Sequence, residues 1–487
     1  FKHGKSPVWK ALIRHAEVMN RPENHLKYLV ESHDRLSNFS LKAAGIFYDF
    51  SRQRLDEKTM DLLFELAEDR RLREQFSAMV HGKKINATEN RPALHTAARN
   101  FSGHPVVVDG KDVMPEIRNV RNEIRQFVSQ IHNENITGST GKPFRQVVVI
   151  GIGGSYLGTE FVANALNFLA DKKIEIMFLS NVDIHNFGKI AAIIDVETTL
   201  WVVISKSYTT AETMANVHQV RTFIKEKGLD PAKHFLTVTS KGSPGDDPKN
   251  PVLASFHMFD FIGGRYSVTS AVGGVPLSLY LGYDRFERFL WNNNFLGYPA
   301  QAIIPYASPL SKLAPHIQQL NMESNGKSVT KDGYRLDDAT GTIVFGEPGT
   351  NAQHSFFQLA HQGRPFPIDF IGVIHPHIAQ PAALATGKED PNPAKYFSGN
   401  RPSTTILLKE LSPENIGRLL AFYEAKTVYE AFIWGINPFD QFGVELGKTL
   451  AKDIRKQMAT KNRDQKHTFD DTDPITRFYL ETLFYDK

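Results

Sequence analysis

The chain has 487 residues, no cysteine, a formal net charge of +4, and 41% hydrophobic against 23% charged residues. That length exceeds what one compact core takes up, so two domains with helical additions are expected. Disulfides, thiol nucleophiles and thiolate–metal sites are excluded, which is compatible with a cytoplasmic setting. No apolar run is long enough to cross a bilayer, and the dispersed Lys and Arg suit a small anionic ligand rather than nucleic acid.

The N-terminal stretch around Trp9, Leu12 and Ile13 is amphipathic and lacks the apolar core of a secretion signal. The first hundred or so residues read as helices and loops, with Met60, Leu63, Phe64 and Ala67 forming a core-facing stripe. From Gln146 the pattern becomes buried strands alternating with helices: Val147 to Ile150, Ile174 to Leu179, Leu200 to Ile204 and Phe235 to Val238. This is the signature of a parallel sheet. The helix after the first strand carries Phe161, Val162, Ala165, Leu166 and Leu169 on one side, predicted to lie against that sheet. A second alternating region has candidate strands at Ala302 to Ile304, Ile343 to Phe345, Ile368 to Val373 and Thr405 to Leu408. The helix after it starts with Ser412 as N-cap and Pro413 and Glu414 in its first turn. Two α/β domains account for this order.

Two chemistry-bearing segments, a glycine turn and a hydroxyl-rich loop, fall at the carboxyl ends of predicted strands. The turn Gly151-Ile152-Gly153-Gly154-Ser155 opens a helix, where unpaired N–H groups favour an anion. It is equally suited to tight strand–helix packing, and Tyr156 in place of a third glycine excludes a dinucleotide fingerprint. Ser205, Lys206, Ser207, Thr209 and Thr210 form a hydroxyl-rich loop that can hold a phosphate or simply cap a helix. Gly263-Gly264-Arg265 sets a guanidinium beside glycines, for an oxyanion or an ordinary ion pair. Glu323 and His354 are acid–base candidates, although a single Glu or His is usually a surface or structural group. Gln441 and Lys448 stand two helical turns apart. Gly138 to Lys142 fails the P-loop pattern at Ile136 and Pro143, and His375 and His377 lack a third ligand.

These segments, with Met322-Glu323-Ser324-Asn325-Gly326-Lys327 and Gly346-Glu347-Pro348-Gly349-Thr350-Asn351, occur in an order that resembles the phosphoglucose isomerase family over nearly the whole chain. The resemblance implies two α/β/α sandwich domains of the sugar-isomerase type with parallel-rich sheets. On it, residues 1–110 form a helical part of the larger lobe, 111–282 the smaller sugar-phosphate domain, 283–455 the larger domain, and 456–487 a C-terminal arm embracing a second subunit. The implied reaction is aldose–ketose isomerisation of glucose 6-phosphate and fructose 6-phosphate through a cis-enediol or enediolate, needing no cofactor and no metal.

By the same resemblance Gly154, Ser155, Ser205, Lys206, Ser207 and Thr210 hold the phosphate, and Gly264, Gln319 and Gln441 define the sugar pocket. Glu323 moves the proton between C2 and C1, Arg265 steadies the oxyanion, and His354 and Lys448 open the ring. His354 enters from the neighbouring subunit of a homodimer and is oriented by Glu212. Ser207 stands where Thr is common in the family and keeps the hydroxyl. Two stretches, Phe286 to Phe295 and Ile374 to Gln380, look shortened against the family pattern. A different sugar-phosphate substrate, such as an amino-sugar phosphate, and a non-enzymatic sugar-phosphate sensor remain as alternatives.

Overall fold

A computed structural model describes residues 6–290, 302–336, 339–363, 365–373 and 379–484; Trp291 to Ala300 and the His375–His377 pair lie outside them, as does the Lys448 side chain. Helix α1 (Pro7–Met19) is followed by a hairpin that the helical reading of this region misses, β1 (Ser40–Ala43) and β2 (Ile46–Asp49). Its two-residue turn, Ala44 and Gly45, has φ of 48° and 76°, the positive values a tight hairpin requires. Ala-Gly carries less of a turn signal than Asn-Gly, so the hairpin is faint in the sequence.

Helix α2 (Glu57–Asp69) is capped by Asp56, whose carboxylate accepts from Thr59 N at 2.8 Å. Its buried residues are Leu62 and Leu66, which pack with Val8 of α1. The predicted core stripe is therefore offset. Phe64 is 64% exposed, and Met60, Leu63, Phe64 and Ala67 line an open, largely apolar cavity of about 1420 Å³.

Strands β3 (Gln146–Ile150), β4 (Glu175–Leu179), β5 (Thr199–Ile204), β6 (Phe235–Ser240) and β7 (Ala254–Met258) form an all-parallel sheet in the order β4-β3-β5-β6-β7. β7, with polar Ser255 and His257 between its apolar residues, was not foreseen. Strand order reverses between β3 and β5. In such sheets the crevice outside the carboxyl ends of those two strands is where ligands bind. The glycine turn follows β3 and the hydroxyl loop follows β5.

Helix α3 (Leu157–Ala165) opens from the glycine turn, and α4 (Ala211–Glu226) from the hydroxyl loop. α3 departs from expectation. Phe161, Val162, Ala165 and Leu166 are buried in a core shared with the second sheet, and α3 packs against α5 (Ala271–Leu281) and α6 (Leu313–Asn325). Gly158 permits the approach, since a Cβ there would lie 2.8 Å from Val268 and 3.2 Å from His316. The His316 ring stacks on Phe161 at 5.8 Å, and burial lowers its pKa to about 4, so it packs there uncharged.

Strands β8 (Ala302–Pro305), β9 (Ile368–Val373) and β10 (Ser403–Leu408) are parallel neighbours, and β2 joins β10 antiparallel to give the order β1-β2-β10-β9-β8. The expected strand at Ile343 to Phe345 does not form. Phe345 alone bridges Ala302, and the next residue, Gly346, lies so close to β8 that a Cβ there would sit 1.9 Å from Ile303 O. Helix α7 (Gly349–Ser355) packs near β8, and α8 (Pro413–Trp434) starts as predicted, with Ser412 Oγ accepting from Asn415 N at 3.3 Å. The α/β sandwich class read from the sequence holds in both sheets.

A second unit, Asp440–Lys487, contains α9 (Phe442–Arg463) and α10 (Pro474–Phe484), with Phe469 and Leu480 buried. Among the described residues no helix is long and apolar enough to cross a membrane.

One buried acid ties folding to pH. Asp369 on β9 is 1% exposed and accepts from Tyr423 OH at 3.2 Å, and burial pushes its pKa up to about 7 despite the nearby Lys426. Between its ordinary value of 3.8 and about 7 the folded protein keeps a proton that the unfolded chain has lost. Stability therefore falls as pH rises through that window and is flat above it. Asp369→Asn is expected to abolish this slope, worth about 1.4 kcal/mol per pH unit across the window, in denaturant titrations at stepped pH. Parallel pH profiles for the two proteins would count against it.

Candidate functional site

The glycine turn at the end of β3 touches two other segments. Gly153 has φ +60°, a left-handed conformation suited to glycine. A Cβ at Gly154 would lie 2.3 Å from Gly264 C and 2.7 Å from Arg265 N, so two backbones meet with no side chain between them. A Cβ at Gly151 would lie 3.3 Å from Ile204 O, the end of β5, which sets this turn beside the hydroxyl loop. Gly154→Ala is expected to force the two turns apart, costing about 1–3 kcal/mol of stability and at least about tenfold in kcat/KM. Melting and steady-state kinetics check this; unchanged kinetics would show that the contact is not needed.

In the hydroxyl loop Ser205 is buried and its Oγ accepts from Tyr208 N at 3.1 Å, while Ser207 Oγ accepts from Thr209 N at 3.3 Å and Thr209 Oγ1 at 2.8 Å. Thr210 is the N-cap of α4, yet its hydroxyl makes no capping hydrogen bond. Simple capping therefore does not explain the cluster of hydroxyls. Lys206 Nζ pairs with Asp260 Oδ1 at 3.2 Å and donates to Asp260 O at 3.1 Å, the same carbonyl that receives Arg91 Nη1 at 3.2 Å. Burial, and then the neighbouring Arg91, lower the Lys206 pKa. Arg91 is a second cation at this loop that the sequence reading missed.

Across the Gly154 contact lies the Glu323 carboxylate, bound to Arg265. Glu323 sits in the last turn of α6, its side chain 16% exposed, and both carboxylate oxygens are held. Arg265 Nη1 donates to Oε1 at 3.0 Å and Gln319 Nε2, one turn earlier on α6, donates to Oε2 at 2.9 Å. Gln319 Nε2 is also 3.2 Å from the position of a Cβ on Gly153, so it spans the space between the glycine turn and the carboxylate. Arg265 is 2% exposed, and it also donates from Nε to Ser324 Oγ at 2.7 Å and from Nη2 to Pro438 O at 2.6 Å. Tyr266 OH meets the same Ser324 hydroxyl at 3.0 Å, and burial raises its pKa to about 12, leaving it a neutral phenol.

Not every expected group converges. His354 is exposed on α7, and among the described residues no hydrogen bond or ion pair joins it to Glu212, half-buried in the first turn of α4, or to Glu323. Gln441 is the residue before α9 and Lys448 falls within that helix, both in the second unit. Among the described residues no three His, Asp or Glu side chains are grouped to hold a metal ion. Asn321, Asn325, Lys426 and Glu430, to which the sequence reading assigns no role, are all buried. Their signal is a pair of opposite charges, Lys426 and Glu430, spaced one turn apart in a helix whose residues are mostly buried.

An open α/β sheet with an anion-ready turn at its switch point, facing a carboxylate held between a guanidinium and an amide, defines a phosphosugar-type protein equipped for proton transfer. Matches to the phosphoglucose isomerase family profile cover residues 49–290 and 289–474, and the chain belongs to that family. It is 61% identical to glucose-6-phosphate isomerase of Desulfosudis oleivorans, over 98% of this chain and 97% of the relative, and 41% identical to the cytosolic glucose-6-phosphate isomerase of Arabidopsis thaliana with the same coverage. The crystal structure of a glucose-6-phosphate isomerase from Chlamydia trachomatis superposes with a TM-score of 0.88 at 34% identity, over the whole of both chains. The pairing with the Desulfosudis protein runs over 529 positions, so that relative carries residues with no counterpart here. The two profile matches meet at 289–290, inside the first stretch that reads as shortened.

Proposed function

We infer that this protein interconverts glucose 6-phosphate and fructose 6-phosphate, a reversible step of glycolysis and gluconeogenesis. The observation that carries the chemistry is the Glu323 carboxylate, held at both oxygens and set across one backbone contact from the glycine turn. With the phosphate in the Gly154, Ser155, Ser205, Lys206, Ser207 and Thr210 region, the far end of an open-chain sugar reaches Glu323. The C2–H bond breaks as Glu323 takes the proton, its electron pair forms the C1–C2 double bond of the enediolate, and the carbonyl oxygen takes up the negative charge beside Arg265. The O2 hydroxyl proton passes to O1, and as the C2–O2 carbonyl forms the double-bond electrons take the proton back from Glu323 at C1, which completes the shift.

Ring opening falls to His354 and Lys448, with Gln441 and Gly264 shaping the sugar pocket. The exposure of His354 supports a role across a subunit interface in a homodimer, where Glu212 of the neighbouring site orients it. The cytosolic designation of the Arabidopsis relative supports a cytoplasmic location. The test is conversion of glucose 6-phosphate to fructose 6-phosphate in heavy water with no added metal or nucleotide. Conversion with partial deuterium entry at C1 or C2 is expected; no conversion by folded protein overturns the reading.

A further inference from the structure

The turn of α6 that carries Glu323 is gripped from behind by α8. Asn321 Nδ2 donates to Glu430 Oε2 at 2.7 Å, and Asn325 Nδ2 donates to the same oxygen at 3.0 Å and to Thr427 O at 3.2 Å. The other carboxylate oxygen of Glu430 accepts from Lys426 Nζ. All four side chains are buried: Asn321 and Asn325 at 2%, Lys426 at 4% and Glu430 at 7% exposure. At 100° per residue Asn321 and Asn325 share one face of α6, while Glu323, two positions from each, points the opposite way. Neither Asn amide oxygen has a hydrogen-bond partner among the described residues, so the two amides are fixed from the nitrogen side.

A helix end is the part of a helix most prone to fray, and here the C-terminal turn bears the group that must meet two adjacent carbons in succession. A buried ion pair adds little net stability compared with apolar residues of the same volume, so stability alone does not account for Lys426 and Glu430 in this buried stretch of α8, where the buried Glu424 is paired separately with Arg99. Glu430 supplies one oxygen that two amides share, and Lys426 balances its charge. We propose that Glu430, with Lys426 as counter-ion, is a positioning residue for proton transfer: by holding Asn321 and Asn325 it fixes the aim of the Glu323 carboxylate on the far side of α6. This rests on the assignment of Glu323 as the base.

Two charge-balanced double variants separate positioning from packing. Lys426→Met/Glu430→Gln removes the ion pair but keeps an oxygen acceptor for the two amides; Lys426→Met/Glu430→Leu removes both. With kinetics measured well below each melting temperature and corrected for folded fraction, the first is expected to keep kcat within about threefold of the parent. The second is expected to lose about 10- to 100-fold in kcat with KM little changed, since a misplaced group about 1 Å off costs that much. It should also release more deuterium to solvent from substrate labelled at C2, because a loosened carboxylate exchanges its proton before delivering it. Equal kcat for the two doubles, a loss confined to KM, or unchanged label transfer in the second overturns the proposal. If the doubles fail to fold, Asn321→Ala replaces them: the same kcat loss is expected, and parental kcat overturns it. Glu323→Gln is run alongside. If it turns over normally, the base assignment fails and the clamp with it; if it is inactive while the Glu430→Leu double is not, the clamp alone fails.

Discussion

Glu323→Gln is expected to lower kcat by about 10²- to 10⁴-fold or more while changing stability by less than about 1 kcal/mol. The amide has the shape of the carboxylate, so its oxygen can still accept from Arg265 Nη1. Its new NH₂ would face Gln319, whose own amide oxygen is buried without a partner and can accept after the amide turns over. The substitution thus removes basicity and little else. Steady-state assays in both directions, calorimetric binding of a phosphorylated sugar analogue and thermal melting form the check. Unimpaired turnover would move the proton-transfer role to another group, whereas lost ligand binding would show Glu323 to be a structural partner of Arg265.

Arg265→Lys is expected to reduce kcat by about 10²- to 10³-fold and to affect KM far less. The guanidinium serves three directions at once, Glu323, Ser324 and Pro438 O, from a position with 2% exposure. An ammonium has no planar fork and cannot span those partners, so charge is kept while geometry is lost. The developing enediolate is a transition-state feature, which is why the loss belongs in kcat. A lysine variant with parental kcat would place oxyanion stabilisation elsewhere; a change in KM alone would make Arg265 a substrate-binding group.

Much of this was legible before the fold. Buried runs such as Val147 to Ile150 and Leu200 to Ile204 announce parallel strands, and glycines follow where backbones must meet. The Gly154–Gly264 contact is the physical reason behind two motifs that, read singly, allow a bland account. What stayed hidden depends on partners distant in sequence. β2 reads as part of a helical segment until β10 offers it an edge, and the stripe from Met60 to Ala67 has helical spacing without revealing which of its sides meets α1. Ile343 to Phe345 has strand composition, yet Ile343 is exposed and only Phe345 finds a bridge, to Ala302. Glu430 could be noticed as a charge one turn from Lys426, but nothing local ties it to Asn321 and Asn325, more than 100 residues earlier.

The bare contact between Gly154 and Gly264 also works as a ruler. On the proposed placement, with phosphate on one side of it and the carboxylate of Glu323 on the other, the span from phosphorus to the reacting carbons would be set by two main chains in close contact. Rotamer changes or conservative substitutions around the pocket wall leave that span untouched. On that placement, selection could retune affinity, ring-form preference or pH response through side chains, while the number of carbons in an acceptable sugar phosphate would stay written into the backbone.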